Sequence, residues 1–138
     1  MKYSFSIEHN DFNALENIAK EIIHLGIKKI AFSGDLGSGK TTLIKYILKE
    51  LQIQNFEGSP TYSIIQQYGQ KENIYHIDCY RIENNHEAFN LGFEEIFEEN
   101  SYFFIEWPEK IETFLPEDIN WLYIRKELNN HRSIHFHI

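Results

Sequence analysis

Polar and apolar residues alternate over residues 2–7, the period of a strand with one covered face. The period changes at Phe12. Phe12, Leu15, Ile18, Ala19, Ile22 and Leu25 recur at three- and four-residue spacing and predict an amphipathic helix. Asn10 or Asp11 is its N-terminal cap and Gly26 its stop. Residues 28–33 predict a short strand carrying Ile30 and Phe32, and Gly34 to Gly39 a glycine-rich turn. Helical spacing returns with Leu43, Ile44, Ile47, Leu48 and Leu51. A connector over 52–60 ends in Glu57-Gly58-Ser59-Pro60. Two strands are predicted after it, over 61–68 and 74–78, with Gly69-Gln70 as the hairpin turn. A helical stretch over 85–98 is interrupted near Gly92, and residues 101–106 read as a buried strand. Strands over 119–127 and 132–138 flank Asn129-Asn130, a turn-forming pair. With no repeat and no linker, this order predicts an α/β fold: one domain over residues 1–138, a mixed central β-sheet flanked by helices.

Composition narrows the setting. The 138 residues include 42% hydrophobic and 25% charged side chains, ordinary values that argue against disorder. One cysteine, Cys79, allows no internal disulfide and fits a reducing cytoplasm. Apolar runs reach only four residues, as at Tyr102 to Ile105, far short of the roughly 20 that span a bilayer, and the N-terminus has no apolar signal region. A cytoplasmic protein without a membrane anchor is expected. The charge is lopsided. Residues 1–56 carry seven basic and six acidic side chains, and residues 57–138 carry six and fifteen. That acidity argues against a direct grip on nucleic acid, which needs basic groups on phosphates. Six glutamates and no basic residue fall between Ile82 and Asn100. They form either a solvated face or a docking surface for a basic partner.

The strongest chemical signal is Gly34-Asp35-Leu36-Gly37-Ser38-Gly39-Lys40-Thr41. It fits G-x-x-x-x-G-K-[ST] at every fixed position, between a predicted strand and a predicted helix. Glycines let the backbone wrap so that successive N–H groups face phosphate oxygens, and the helix adds its positive end. Lys40 is placed for the β- and γ-phosphates and the Thr41 hydroxyl for Mg²⁺. The chemistry is that of a nucleoside triphosphate site.

Such a site needs an acidic group near the metal, at the end of a hydrophobic strand. Tyr102-Phe103-Phe104-Ile105-Glu106 and Ile74-Tyr75-His76-Ile77-Asp78 are the two candidates. Glu106 is favoured for the magnesium shell, directly or through water, which Mg²⁺ tends to keep. Asp78 is then the group that orients or deprotonates the attacking water, or a second outer group on the metal. His76 and Asp78 share a strand face and with Glu106 imitate a transition-metal site, but the pairing reads better as structural. His131, His135 and His137 read as surface or edge residues. Ser59-Pro60-Thr61, after a flexible connector, has the hydroxyls that a γ-phosphate-sensing switch requires, or is only a proline turn.

Several segments occur in a characteristic order: the loop Gly34 to Thr41 with Thr42, Ser59-Pro60-Thr61-Tyr62, His76-Ile77-Asp78-Cys79-Tyr80-Arg81, Leu91-Gly92-Phe93-Glu94-Glu95 and Ile105-Glu106-Trp107-Pro108-Glu109. Together they resemble the TsaE (YjeE) family, bacterial P-loop ATPases of tRNA threonylcarbamoyladenosine biosynthesis. The resemblance runs in register over about residues 30–110. It implies an ATP- and Mg²⁺-dependent subunit that docks on a carbamoyltransferase and its inactive paralogue, a TsaD/TsaB-like pair, and resets that complex by hydrolysis. The tRNA would be touched only through those partners. Carried over by position, the loop 34–41 with Thr42 holds phosphate, Thr41 and Glu106 hold magnesium, Asp78 is the essential acid, and Ser59, Pro60 and Thr61 form a switch. Trp107 lies beside the nucleotide, and Asp11 and Arg132 match weaker nucleotide contacts. Ser38 and Cys79 depart from the residues usual in the family, neither at a fixed chemical position.

Other classes remain open at this point. A small-molecule or nucleotide kinase would need several cations over the transferring phosphate, and the chain has only Arg81, Arg125 and Arg132. A GTP switch would carry Asn-Lys-x-Asp, which is absent. A module using ATP only for assembly is the non-enzymatic alternative. No arginine lies in the phosphate loop or the switch, so slow hydrolysis alone and acceleration by partners is expected.

Overall fold

The computed structural model describes residues 1–60, 63–69 and 73–138. The chain builds one seven-stranded sheet, β1 (Lys2–Glu8), β2 (Lys29–Ser33), β3 (Ile65–Tyr68), β4 (Ile74–Asp78), β5 (Tyr102–Glu106), β6 (Asn120–Lys126) and β7 (His131–His137), in the order β1-β7-β6-β2-β5-β4-β3. Strands β4, β5, β2 and β6 run parallel as a central block. Antiparallel β3 closes one edge, and β7 followed by β1 closes the other. The sheet is mixed, as its sequence predicted.

Parallel strands are covered on both faces, so they read as near-continuous apolar runs. Phe103, Phe104 and Ile105 of β5 show this, all at 0% exposure. Helices α1 (Phe12–His24) and α2 (Lys40–Glu50) cover one face through Leu15, Ile18, Ile22, Leu43, Ile44 and Ile47, packed on Phe32 and Phe104. The opposite face carries α3 (Asn85–Asn90), α4 (Phe93–Ile96) and the 3₁₀ segment Pro108–Phe114, with Phe93, Phe97 and Ile111 against Tyr75, Ile77 and Phe103.

Local chemistry sets the ends. Asp11 caps α1, its Oδ1 accepting the Ala14 amide at 3.1 Å, a contact worth about 0.5–2 kcal/mol. Gly26, at φ 74°, ends α1: its amide donates to Ile23 and the Ile27 amide to Ile22, the paired bonds of a left-handed helix stop. Gly92 likewise divides the predicted 85–98 helix into α3 and α4. The strand predicted over 61–68 begins at Ile65, with Ser63 and Ile64 irregular; Thr61 and Tyr62 of that prediction and Gln70 of the predicted Gly69-Gln70 turn lie outside the described residues. The 3₁₀ segment had no sequence expectation, and Pro108 at its first position starts it. Among the described residues, no helix is long and apolar enough to cross a membrane.

Candidate functional site

The carboxyl ends of β2, β5 and β4 lie side by side, which is where open parallel sheets place ligands. Each delivers one part of the site. After β2 the chain turns through Gly34 to Gly39 into α2. Gly37 and Gly39 sit at φ 76° and 111°, conformations that a side chain resists. A Cβ on Gly34 would lie 2.5 Å from the Ile124 carbonyl oxygen and 2.7 Å from Ser38 Oγ, so the loop closes only with glycine there. Gly39 caps α2 without a side-chain acceptor, leaving the first-turn amides of an 11-residue helix without a side-chain cap.

Lys40, only 5% exposed, donates from Nζ to the Gly34 carbonyl and, at 3.4 Å, to that of Asp35. The same Nζ lies 3.9 Å from the Trp107 ring centroid. Burial pulls its pKa below the ordinary value, against the opposing charges of Glu106, Glu109, Asp78 and Asp35. Trp107 holds a left-handed backbone, φ 55° and ψ 50°, rare for a bulky residue and characteristic of functional sites.

Glu106 ends β5 at 3% exposure. Thr41 Oγ1 donates to its Oε1 at 2.7 Å, and Ser59 Oγ to its Oε2 at 2.9 Å. The two hydroxyls are themselves 2.8 Å apart. His76 Nε2 meets Oε2 at 2.6 Å. Burial alone would raise the Glu106 pKa; the His76 hydrogen bond and charge, with the two hydroxyls, outweigh it and hold the carboxyl below its usual value. Asp78 stands opposite Glu106 in the parallel register of β4 and β5. Its shift is the reverse. Burial raises it, helped by the Glu106 charge and opposed by the Tyr80 amide, which donates to Oδ1 at 3.1 Å.

These groups open on a cleft of about 520 Å³. Leu36 to Thr42, Ser59, Pro60, Asp78, Glu106, Trp107 and Arg132 line it, so the structure gathers residues scattered from 36 to 132. Arg132 Nη2 donates to the Gly37 carbonyl at 3.3 Å and braces the loop. Asp11 does not line the cleft, because its carboxylate is spent on capping α1; its neighbours His9, Asn10 and Phe12 do. Thr61 of the expected switch lies outside the described residues. The reading missed the far wall of the cleft, where Ile7, His9 and Phe12 face Ile134. The β1–β7 pairing brings that wall together, joining residues more than 120 apart. No local motif announces it.

The residues fit a nucleotide and a hard cation. Among the described residues, Arg132 Nε and Ser38 Oγ are buried without a hydrogen-bond partner, and both belong to residues lining the loop side of the cleft, as an anionic phosphate would require. Thr41 and Glu106 pair a hydroxyl with an ionised carboxylate, the oxygen chemistry of Mg²⁺. Among the described residues, no three His, Cys, Asp or Glu side chains are placed to hold a metal together. Mg²⁺ needs no such cage when substrate phosphates and water complete its shell.

Comparison with known proteins identifies the family and the fold. Residues 9–134 match the family described as "Threonylcarbamoyl adenosine biosynthesis protein TsaE". The chain is 35% identical over 108 residues to the tRNA threonylcarbamoyladenosine biosynthesis protein TsaE of Bacillus subtilis, covering 78% of this chain and 67% of that one. Against the protein of the same name from Borreliella burgdorferi it is 37% identical over 117 residues, 81% and 84% of the two chains. For the one from Haemophilus influenzae the identity is 38% over 89 residues, and the match spans just 56% of that protein. The crystal structure of Bacillus subtilis YdiB superposes with a TM-score of 0.76 at 26% identity, over 99% of this chain and 86% of that one.

Proposed function

The chain belongs to the TsaE family of threonylcarbamoyl adenosine biosynthesis proteins, and from that premise we propose that it serves tRNA threonylcarbamoyladenosine formation as a Mg²⁺-dependent ATPase. One observation carries the nucleotide chemistry: Thr41, Ser59 and the ionised Glu106 meet within 2.9 Å beside the buried Lys40. The loop amides and Lys40 hold the phosphates. Thr41 and Glu106 hold Mg²⁺, which neutralises charge on the β- and γ-phosphates when bound. Asp78, whose carboxyl pKa is raised by burial above its ordinary value, orients the attacking water and takes its proton. Ser59 shares the carboxylate with Thr41, so a change at the phosphate reaches the 52–60 connector directly.

The chain acts by docking on a carbamoyltransferase and its inactive paralogue and resetting them through hydrolysis, leaving the tRNA to them. Its acidity supports that division, since a direct grip on RNA would need the opposite charge. Arg132 is engaged with the loop carbonyl of Gly37, and Arg81 lines the cleft from an exposed position. Arg132 keeps Nε for phosphate on the loop side, and exposed Arg81 is left for a partner to order. Phosphate release by the isolated chain is therefore slow, and adding the pair raises it by about 10²-fold or more. Lys40→Ala, folded by circular dichroism, binds no ATP in calorimetry and releases no phosphate in either setting. Equal turnover with and without the pair removes the docking half of this reading; normal ATP binding by Lys40→Ala removes the site.

A further inference from the structure

His76 is wholly buried on β4, its ring 6.1 Å from Phe56 and tilted 22° from it. Among the described residues its Nδ1 has no hydrogen-bond partner. An apolar side chain of the same size would fill this space without stranding a polar atom. Among the described residues the one polar contact of the ring is Nε2 with Glu106 Oε2 at 2.6 Å. An ionised carboxylate only accepts, so Nε2 carries the proton and donates.

The division of donors is informative. Oε2 receives His76 and Ser59, whereas Oε1 receives Thr41. Ser59 belongs to the irregular connector that precedes β3. His76 is in the middle of a parallel strand, held between β3 and β5. A glutamate side chain has several rotatable bonds, and fixing one oxygen to the sheet fixes the direction of the other. We propose that His76 is the positioning residue of the metal site: it clamps Glu106 Oε2 so that Oε1 is presented beside the Thr41 hydroxyl to a divalent cation. This rests on the reading of Thr41 and Glu106 as the Mg²⁺ shell.

The test is an equilibrium titration of Mn²⁺, a paramagnetic substitute for Mg²⁺, into the full chain with ADP, read by electron paramagnetic resonance. His76→Phe keeps the ring and its stacking and removes the donor. Mn²⁺ should bind about 10–100-fold more weakly. ADP affinity in EDTA should stay within about twofold, because the phosphate loop is untouched. His76→Gln, whose Nε2 reaches the same place, should recover Mn²⁺ affinity to within about threefold of the wild type. A side chain that only fills the core would shift the melting temperature without this selective loss and rescue. If His76→Phe lacks a cooperative melt, His76→Asn, too short to reach Oε2, replaces it. Unchanged Mn²⁺ affinity in the folded donor-less variant overturns the proposal. A wild-type chain that forms no Mn²⁺–ADP complex at all overturns the metal-site reading beneath it.

Discussion

Glu106 and Asp78 are neighbours in register, yet their environments pull them apart. Three donors hold Glu106 ionised, whereas burial works against the charge of Asp78. A pair separated in this way sorts into a charge stabiliser and a proton acceptor. The sorting is testable by substitution. Asp78→Asn keeps the acceptor for the Tyr80 amide and should leave Mg²⁺–ADP binding intact by calorimetry while lowering phosphate release about 10²–10⁴-fold. The same variant should melt higher than the wild type. The Asp78 pKa is raised on folding, so its ionisation weakens the fold as pH rises through that range, and Asn escapes the penalty. The gap in melting temperature should widen as pH rises above the ordinary carboxylate range in differential scanning calorimetry. A gap that narrows as pH rises contradicts the burial account.

At the scale of elements, the site depends on where β2 stops and α2 starts. Gly39 is the hinge of that change, at φ 111° and with Arg132 3.7 Å from any Cβ placed there. Gly39→Ala forces a side chain into a left-handed conformation, a strain of about 1–3 kcal/mol. The expected result is a folded chain with a lower melting temperature and ATP affinity down by about tenfold or more. An alanine variant with wild-type affinity would mean that the loop reaches phosphate in another shape. The β2–loop–α2 unit was legible in the sequence because its period switch and glycine spacing are local. The break at Gly92 was legible for the same reason. The cap at Asp11 was legible too, as an acidic residue directly before an apolar stripe, and its Oδ1 accepts the Ala14 amide.

Over the whole molecule, charge is divided between a nearly neutral start and an acidic remainder. The acidic run between Ile82 and Asn100 gives α3 and α4 and the turns beside them, and Glu94, Glu95 and Glu98 are exposed there. Glu99 is not part of that free surface, because it accepts from the Tyr75 hydroxyl at 2.8 Å. Burial, with this bond, pushes the Tyr75 pKa up to about 12. Reversing Glu94, Glu95 and Glu98 to Lys should slow association with the proposed partner pair, most at low salt, by about tenfold in surface plasmon resonance. Leaving Glu99 alone keeps the fold comparable. An on-rate and salt dependence equal to the wild type would reduce the run to a solvated face.

Sequence alone determined what is written locally: strand and helix periods, the glycine spacing of the phosphate loop, its Lys40 and Thr41, and the apolar runs ending in Asp78 and Glu106. Periodicity reports which face is buried, and a loop built from its own backbone needs no distant partner. Tertiary structure decided what depends on strand order. Placing β5 between β2 and β4 sets Glu106 against Thr41 and Asp78, and closes His76 behind the carboxylate. Pairing β1 with β7 builds the far wall of the cleft and carries Arg132 to the loop. Those juxtapositions come from hydrogen bonding between strands far apart in the chain, for which a one-dimensional pattern holds no measure of distance.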